Sequence, residues 1–565
     1  PYYPADSQGN IPLAYIWART ITCEGPGCGA EVPLLGMLWL SKKSKNLVAL
    51  RYRGVKAEGT GYNAEGTRQK AEGTGYNAEG TGRKAEVIVE LFSPRSPAEV
   101  QPPIVKRFAA TCPCCGYTTP YKSTREQLRR KRGGTRDARL VAVITLDEHG
   151  GRHFRLPNEA DLEAARQAER ALDRIAREHT GPWPFVPDEP TPPDGTLGYR
   201  INKYGMEQWS DVYLPRQALA LGTFCELVGE ARGHAMKATN HPAFADALGT
   251  CLGIALGRTV PYNAATSFNH PAFGIKEVFL GSGFPMKPDF AECNPLIPKY
   301  VGGFEYSVNE LVPIVERESS WAQQVGNVQQ ASATAIPLPD DSVGYVVTDP
   351  PYYDAVPYAA LSDFCYVWLK RALGGIHRDL FASELTPKGE ECILDPGPPA
   401  EGGVSKDREY FERTMEAALA DARRTLKPDG VGVVIFAHKG TAGWEALLNA
   451  LVNAGWAVTG SWPIDTERES RWRAVKSATL SSSVHLVCRP RENPDGSLRT
   501  AEVGDWREVL AELPRRVHEW MPRLAQEGIV GADAIFACLG PALEIFSRYA
   551  RVEKASGEQV SLREY

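Results

Sequence analysis

The chain has 565 residues, of which 43% are hydrophobic and 24% charged, enough for about three globular domains with substantial cores. A formal net charge of −5 excludes nucleic-acid binding through overall positive charge, so any such contact requires a local basic patch. The sequence contains neither an apolar run of membrane-spanning length nor a signal peptide, which indicates a cytoplasmic protein without a membrane partner. Because residue 1 is Pro1 and not methionine, we expect the natural start to lie upstream. The oligomeric state is not predicted.

Two pairs of cysteines lie in the first 120 residues. Cys23 and Cys28 form one pair and Cys112 and Cys115 the other, and a glycine follows the second cysteine of each. Four thiolates in two such knuckles are the ligand set of a structural zinc ribbon, and the glycine lets the backbone turn around the metal. Cys114 could replace Cys112 or Cys115, although the spacing favours those two. A disulfide framework is the rival interpretation, which a cytoplasmic location opposes.

A polar repeat separates the two knuckles. Four seven-residue copies beginning Ala-Glu-Gly-Thr occupy residues 57–84, within an insertion that we place at 56–86. The repeat has no apolar seam and its glycines oppose a helix, so we predict a flexible insertion between two ribbon strands and assign it no function.

A basic stretch follows the second knuckle. Residues 125–139 contain seven basic and two acidic side chains, a local charge of +5. Such a stretch could hold the phosphates of a nucleic acid, or it could be a solvated surface loop, and the sequence favours neither.

Composition divides the chain into five predicted regions. A strand at 140–145 closes the zinc ribbon of residues 1–150, and residues 151–198 hold a charged helix at 159–178 and a proline-rich linker. Residues 199–324 form a mainly helical middle region that includes an amphipathic helix from Pro215. Its polar segments at 262–263, 268–270 and 289–295 could line a DNA groove or close over a cofactor, but each is better explained as a plain loop. Residues 325–495 are the catalytic half of an α/β domain, and residues 496–565 form a C-terminal helical region.

The central motif is an apolar strand at 346–348 that runs into Asp349-Pro350-Pro351-Tyr352. We expect a buried parallel strand whose carboxyl end opens on a ligand pocket. The prolines stiffen the segment and have no N–H, so the Asp349 carboxylate and the free backbone carbonyls act as acceptors. Such acceptors suit a planar –NH2 group, and Tyr352 offers a ring on which a base can stack. An ordinary Pro-Pro turn is the alternative.

Alternating elements surround this motif. A strand is predicted at 327–333, and a helix at 361–372 is expected to cover one face of the sheet. The series continues with a helix at 409–426, a strand at 431–437, a helix at 444–453 and strands at 456–460 and 482–488. His438 and Lys439, and also Trp462 and Pro463, are expected at the same sheet edge as Asp349, with helix capping the favoured role of His438 and Lys439.

The string from Thr348 to Tyr358, TDPPYYDAVPY, followed by LSDFCYVWLKRAL, resembles the adenine-specific DNA methylases that contain a zinc ribbon. The resemblance implies an α/β, Rossmann-like methyltransferase sheet whose last strand is antiparallel, incomplete in this chain. It also implies methyl transfer from S-adenosylmethionine (SAM) to the amine of a flipped-out adenine in DNA, with Asp349, Pro350, Pro351 and Tyr352 as catalytic residues. The glycine-rich turn that would bind SAM is expected upstream of Pro1, so no SAM-binding residue is predicted.

Two other functions remain open. An RNA guanine-amine methyltransferase would share the Asp-Pro-Pro-Tyr motif. A non-catalytic, zinc-ribbon nucleic-acid-binding subunit would retain the motif without using it. The recognition sequence, and a role in restriction, defence or regulation, are not predicted.

Overall fold

The structure is a computed structural model. It describes residues 1–43, 46–56, 85–279, 283–322, 324–354, 356–395, 404–438, 441–464, 483–493, 497, 499, 502–529, 532–562 and 564–565. The predicted flexible repeat at 57–84 and Lys439 lie outside the described residues.

The strands are numbered in chain order. They are β1 Ile11–Ala18, β2 Thr20–Thr22, β3 Glu31–Pro33, β4 Trp39–Lys43, β5 Asn46–Val55, β6 Glu86–Phe92, β7 Val105–Lys106, β8 Ala109–Thr111, β9 Thr118–Thr119, β10 Arg139–Leu146, β11 Arg152–Arg155, β12 Phe268–His270, β13 Gly274–Lys276, β14 Asp289–Cys293, β15 Val343–Thr348, β16 Leu426–Phe436, β17 Trp456–Ile464, β18 Ser483–Pro490, β19 Val503–Asp505 and β20 Arg551–Glu553.

The helices are numbered in the same way. They are α1 Tyr121–Arg130, α2 Glu159–Glu178, α3 Pro215–Thr239, α4 Pro242–Thr259, α5 Phe304–Trp321, α6 Tyr358–Leu373, α7 Arg408–Thr425, α8 Thr441–Asn453, α9 Trp506–Gln526 and α10 Ala532–Ser547.

The chain folds into two compact units that are not continuous in sequence. The first unit comprises residues 1–325 and 359–386, and the second comprises residues 326–358 and 387–565. The predicted ranges 1–150, 151–198 and 199–324 therefore all contribute to the first unit. The chain passes from the first unit to the second, returns with α6, and then completes the second.

The first unit is built on small antiparallel sheets. One has the strand order β11-β10-β1-β14, and a second has the order β2-β3-β6-β5-β4 with one parallel contact, between β3 and β6. The segment at 289–293, predicted as a loop, is the edge strand β14, paired with β1 from Ala14↔Cys293 to Ala18↔Asp289. The loop prediction was wrong because the pairing partner of this short segment lies about 275 residues away in sequence.

Helix α6 completes the core of the first unit. Its Phe364 and Trp368 are fully buried, and Phe364 contacts the rings of Trp209, Tyr213 and Phe284 at centroid distances of 5.7, 6.0 and 5.0 Å. The expectation that this helix covers the catalytic sheet was therefore wrong. Apolar spacing shows that one face of a helix is buried, but does not identify what it is buried against.

Helix α4 packs closely against α6. A methyl group added to Gly253 would lie 2.6 Å from Leu373, and one added to Gly249 would lie 2.6 Å from Ile376. The stretch Pro242–Tyr262 is long and apolar enough to cross a membrane by length and composition, and it is the one such helix in the described part of the chain. Its glycine contacts are those of a core helix.

The second unit contains a mixed four-stranded sheet with the order β15-β16-β18-β17. Strands β15 and β16 are parallel, and β18 runs antiparallel to both β16 and β17. Helices α7 and α8 contribute to its core, in which Phe411, Leu451 and Phe436 are fully buried. The molecule is thus mixed α/β with several small sheets; a methyltransferase-like sheet remains a prediction.

Strand β15 is the outermost strand on one side of this sheet, next to β16. The predicted parallel pairing is present, but the expected burial is not, because Tyr345 is 77% and Val347 67% exposed. The predicted strand at 327–333 is also wrong. These residues are exposed and have no strand partner among the described residues. An apolar, β-branched run cannot reveal by itself whether both faces of its strand are covered.

Candidate functional sites

The four predicted ligand cysteines meet in one cluster in the first unit. The Sγ atoms of Cys23, Cys28, Cys112 and Cys115 all lie within 4.8 Å of one another. The Sγ atoms of Cys23 and Cys115 are 3.5 Å apart, and those of Cys28 and Cys112 are 3.7 Å apart. Four thiolates bound tetrahedrally at the usual zinc–sulfur distance would be separated by about 3.8 Å. The cluster could therefore hold a metal ion, and its geometry is compatible with zinc.

Each cysteine pair lies on a tight backbone knuckle. Gly29 and Gly116, which follow the second cysteines, have φ values of +57° and +78°, in the left-handed region that favours glycine. Cys114 is excluded from the cluster, since its Sγ lies 3.3 Å from the carbonyl oxygen of Glu86. The spacing argument that selected Cys112 and Cys115 over Cys114 is consistent with this arrangement.

Helix α1 is attached to the first knuckle by side-chain hydrogen bonds. Gln127 accepts from the backbone N–H of Thr22 at 2.8 Å and donates to the carbonyl of the same residue at 3.0 Å. Gln127 also donates to the carboxylate of Glu24, and so does Ser123. A metal ion that fixes the knuckles would therefore also fix the position of α1.

The basic stretch at 125–139 separates into paired and unpaired residues. Arg130 pairs with Glu126 at 3.2 Å, and Arg132 pairs with Asp211 at 2.9 Å. Lys131 lies 3.8 Å from Asp137, and Arg139 donates to the carbonyl of Val87. Arg125, Arg129, Arg136 and Arg139 have no acidic partner in the part of the chain that the structure describes, so they carry the remaining local charge.

The Asp-Pro-Pro-Tyr motif lies in the second unit, directly after β15. Asp349 is exposed and Pro350 is buried. The Tyr352 hydroxyl donates a hydrogen bond of 2.5 Å to Asp349 Oδ1. Burial, with a smaller contribution from this hydrogen bond, raises the pKa of Tyr352, so the hydroxyl keeps its proton. No other donor among the described residues reaches the Asp349 carboxylate, so its second oxygen can accept from a ligand.

The two proline carbonyls differ in their partners. The Pro351 carbonyl accepts from the N–H of Tyr353 at 3.2 Å, which closes a tight turn. Tyr353 has a φ of +49°, an uncommon conformation for a residue with a bulky side chain. In the described part of the chain, no backbone donor reaches the Pro350 carbonyl. The expectation that both carbonyls are free therefore holds for Pro350 and is wrong for Pro351.

Aromatic rings from β16 and α7 support the motif. The ring centroid of Tyr352 lies 5.3 Å from that of Phe436, at an interplanar angle of 74°. Phe436 is the last residue of β16, whose parallel pairing with β15 aligns Val434 with Thr348. The carboxyl ends of both strands thus meet at one edge of the sheet. Tyr353 is buried, with its ring 5.0 Å from Phe411.

His438 lies at the same edge, as predicted from its position after β16. Its Nε2 is 3.0 Å from Asp354 Oδ1, and its backbone carbonyl accepts from the indole N–H of Trp444. The ring pairs with Asp354, and the predicted capping role of His438 and Lys439 remains a prediction. Asp354 was not selected from the sequence. Its contact with His438 depends on the turn at Tyr353, which no sequence pattern specifies.

Trp462 and Pro463 also lie at this edge, within β17. Trp462 and Ile435 are both opposite His485 on the intervening strand β18. The Trp462 ring packs 5.7 Å from that of Trp520. Strands β16 and β18 lie between β17 and β15, so these two residues are not in the immediate surroundings of the motif.

The middle-region residues Arg216 and Gln217, which carried no predicted role, are buried within the first unit. Arg216 forms two hydrogen bonds of 2.7 Å with the Glu292 carboxylate, and both side chains are buried. The Gln217 side chain accepts from the backbone N–H of Leu214 at the start of α3. Both residues therefore stabilise the first unit.

Comparison of the chain with protein-family models, with curated proteins and with solved structures finds no match in any of the three. Functional inference therefore depends on the site geometry and on the motif.

Proposed function

We propose that the protein is a DNA methyltransferase that transfers a methyl group from S-adenosylmethionine to the exocyclic amine of a flipped-out adenine. The observation that carries the proposal is Asp349-Pro350-Pro351-Tyr352 at the carboxyl end of a parallel strand, beside the end of β16. Ligands of α/β sheets bind at such strand ends. The antiparallel β18 agrees with the last strand that the methylase resemblance implies.

Each residue of the motif has a distinct role in this proposal. Asp349 and the Pro350 carbonyl accept the two hydrogens of the target amine, which orients the nitrogen lone pair away from the ring. The Tyr352 ring stacks on the base and offsets part of the cost of flipping, which is a few kcal/mol. The stiff Pro350-Pro351 segment keeps the acceptors in position before the base arrives. SAM would supply the methyl group, and we assign no residue of this chain to its binding.

The thiol cluster has a structural role in the proposed function. Bound zinc would have four thiolate ligands and no open position, which is the pattern of a structural site and not of a catalytic one. It would connect the two knuckles and, through Gln127 and Ser123, hold α1 in place. A location in the cytoplasm, where thiols stay reduced, is part of the same proposal.

The test is methyl transfer from labelled SAM to duplex DNA by the full-length protein. We expect label on the adenine amine, and a loss of about a hundredfold or more in Asp349→Ala, because the amine loses one of its two acceptors. Asp429→Ala is the matched control, since Asp429 is an exposed carboxylate on β16 outside the motif. Label on guanine in RNA would indicate the alternative RNA methyltransferase. Biological activity that Asp349→Ala leaves unchanged would indicate the non-catalytic subunit.

A further inference from the structure

A group of cations projects from one side of the metal ribbon. Lys122, Arg125 and Arg129 are three and four residues apart on α1 and so share one face of the helix. Lys122 and Arg129 are exposed, and Arg125 is half-buried with its guanidinium 5.3 Å from the ring of Tyr121. Glu126 lies beside them but is paired with Arg130. We call Lys122, Arg125, Arg129 and Arg107 the ribbon face.

Arg107 lies on a neighbouring hairpin, whose strand β8 contacts α1. It lies with Phe108 in the two-residue turn between β7 and β8, and both residues have positive φ, +49° and +63°. Such turns favour asparagine and glycine, so an arginine and a phenylalanine here are strained. Phe108 packs 4.6 Å from the ring of Tyr204, which ends the short helical turn Ile201–Tyr204 beside α1. The contact holds the turn beside α1 and leaves Arg107 exposed.

The charge of the ribbon face is not compensated within the described part of the chain. None of its four cations has an ion pair with a described acidic residue, whereas Arg130, Lys131 and Arg132 next to them all do. The whole chain is acidic, so this concentration of positive charge is not a general property of its surface. The exposed Tyr121 directly precedes Lys122 in sequence.

We propose that the ribbon face binds the phosphate backbone of duplex DNA and positions the duplex without reading its sequence. This inference rests on the proposed action on DNA. Arginine and lysine side chains on a rigid helix are suited to phosphate contacts, which fix the position of a protein on DNA. The two side-chain attachments of α1 to the first knuckle, at Gln127 and Ser123, make this face part of the metal ribbon.

The salt dependence of DNA binding tests the proposal. The full chain is titrated against a short fluorescent DNA duplex without a methyl donor, over a range of KCl concentrations. Each phosphate contact contributes a slope of about −0.9 to the plot of log affinity against log salt concentration. Replacing Arg107, Lys122 and Arg129 together by Gln should reduce the magnitude of this slope by up to about 3 and weaken binding at low salt.

A control variant replaces Arg174, Lys237 and Arg317 by Gln. These residues are also exposed cations of the first unit, but they lie outside the ribbon face, so the variant should keep the wild-type slope. An unchanged slope in the ribbon-face variant, with zinc content and circular dichroism as in the wild type, would overturn the proposal. The proposal would also be overturned if the ribbon-face variant lost affinity for duplex RNA but kept the wild-type affinity for duplex DNA.

The failure of this inference is distinguishable from failure of the proposed function. Asp429→Ala should bind the duplex as the wild type does, because Asp429 lies outside both the ribbon face and the Asp-Pro-Pro-Tyr motif. If DNA binding depends on the ribbon face but the protein methylates no DNA, only the proposed methyltransferase function is rejected. If the protein methylates DNA but its ribbon-face variant binds DNA as the wild type does, only the inference about the ribbon face is rejected.

Discussion

The Arg216–Glu292 ion pair shows how a single buried contact can hold distant parts of the chain together. Glu292 also accepts from the indole N–H of Trp17 at 2.8 Å, and the Arg216 guanidinium lies 4.0 Å from the ring centroid of Tyr15. One carboxylate therefore connects α3, β14 and β1. The sequence does not pair these residues, because Arg216 and Glu292 are 76 positions apart and only folding brings them together.

Replacing Glu292 by Gln should strongly destabilise the first unit. The variant keeps the size of the side chain but leaves a buried guanidinium without its counter-charge, at an expected cost of about 3–5 kcal/mol. Urea unfolding followed by tryptophan fluorescence measures the change. Glu163→Gln is the control, since Glu163 forms exposed ion pairs on α2 and should matter little. Equal stability of the two variants would show that the buried pair is not needed.

Asp289 predicts a specific pH dependence of stability. Its Oδ2 accepts the backbone N–H groups of Gly36 and Met37, yet burial raises the pKa of Asp289 to about 6. Since this folded-state pKa lies above the ordinary value of 3.8, the folded protein binds the proton more tightly. Its contribution to stability is therefore fully present below that ordinary value and is lost as the pH rises through about 6.

Replacing Asp289 by Asn should remove this dependence, because an amide oxygen can accept the same two N–H groups without ionising. The variant should gain about 1–3 kcal/mol relative to the wild type as the pH is raised from about 4 to 7. Unfolding curves of both proteins across this range provide the measurement. A stability difference that stays constant with pH would contradict the assignment.

Helix positions are the elements that the sequence predicts well. The predicted helices at 159–178 and 409–426 correspond to Glu159–Glu178 and Arg408–Thr425. Apolar residues every three to four positions and flanking turn residues are local properties, so they can be read directly from the sequence. The partner of a helix is not local. Helix α6 was assigned to the wrong unit although its limits were almost correct, and β15 was expected to be covered on both faces.

The glycine-mediated contact between α4 and α6 can be tested at Gly253. A valine there would collide with Leu373, so we expect a loss of about 1–3 kcal/mol in the free energy of unfolding. Gly229→Ala on α3 is the control, because the space around Gly229 is open. That change should stabilise the helix by about 0.5–1 kcal/mol. We therefore expect the free energy of unfolding to fall in Gly253→Val and to rise in Gly229→Ala. An unchanged free energy of unfolding in Gly253→Val would mean that the two helices can move apart at no cost.

The candidate sites of the whole molecule were predictable to different degrees. The four cysteines were selected correctly because each pair carries its own spacing and its own glycine. The Asp-Pro-Pro-Tyr segment was placed correctly at a strand end because strand and motif are contiguous. Two further contacts were not predicted: the pairing of His438 with Asp354, and the hydrogen bond from the Tyr353 N–H to the Pro351 carbonyl. Both depend on the unusual backbone conformation of Tyr353, which no spacing rule predicts.

Metal analysis tests the thiol cluster in the whole molecule. Protein purified without chelator should contain about one zinc ion per chain, and Cys112→Ser should lose it because three thiolates bind more weakly than four. Cys114→Ser should keep the metal, because Cys114 contacts the Glu86 carbonyl and lies outside the cluster. Absence of zinc from the wild-type protein, or equal loss in both variants, would remove the metal assignment.

The discontinuous first unit determines when its core can close during translation. Residues 359–386 leave the ribosome only after the Asp349 segment of the second unit has emerged. Until then Trp209, Tyr213 and Phe284 lack Phe364 against which they pack in the finished protein. A nascent chain that stalls before residue 359 therefore presents an open aromatic surface of the kind that chaperones bind. Proteolytic cleavage between residues 325 and 359 would likewise break the covalent link between α6 and the rest of the first unit.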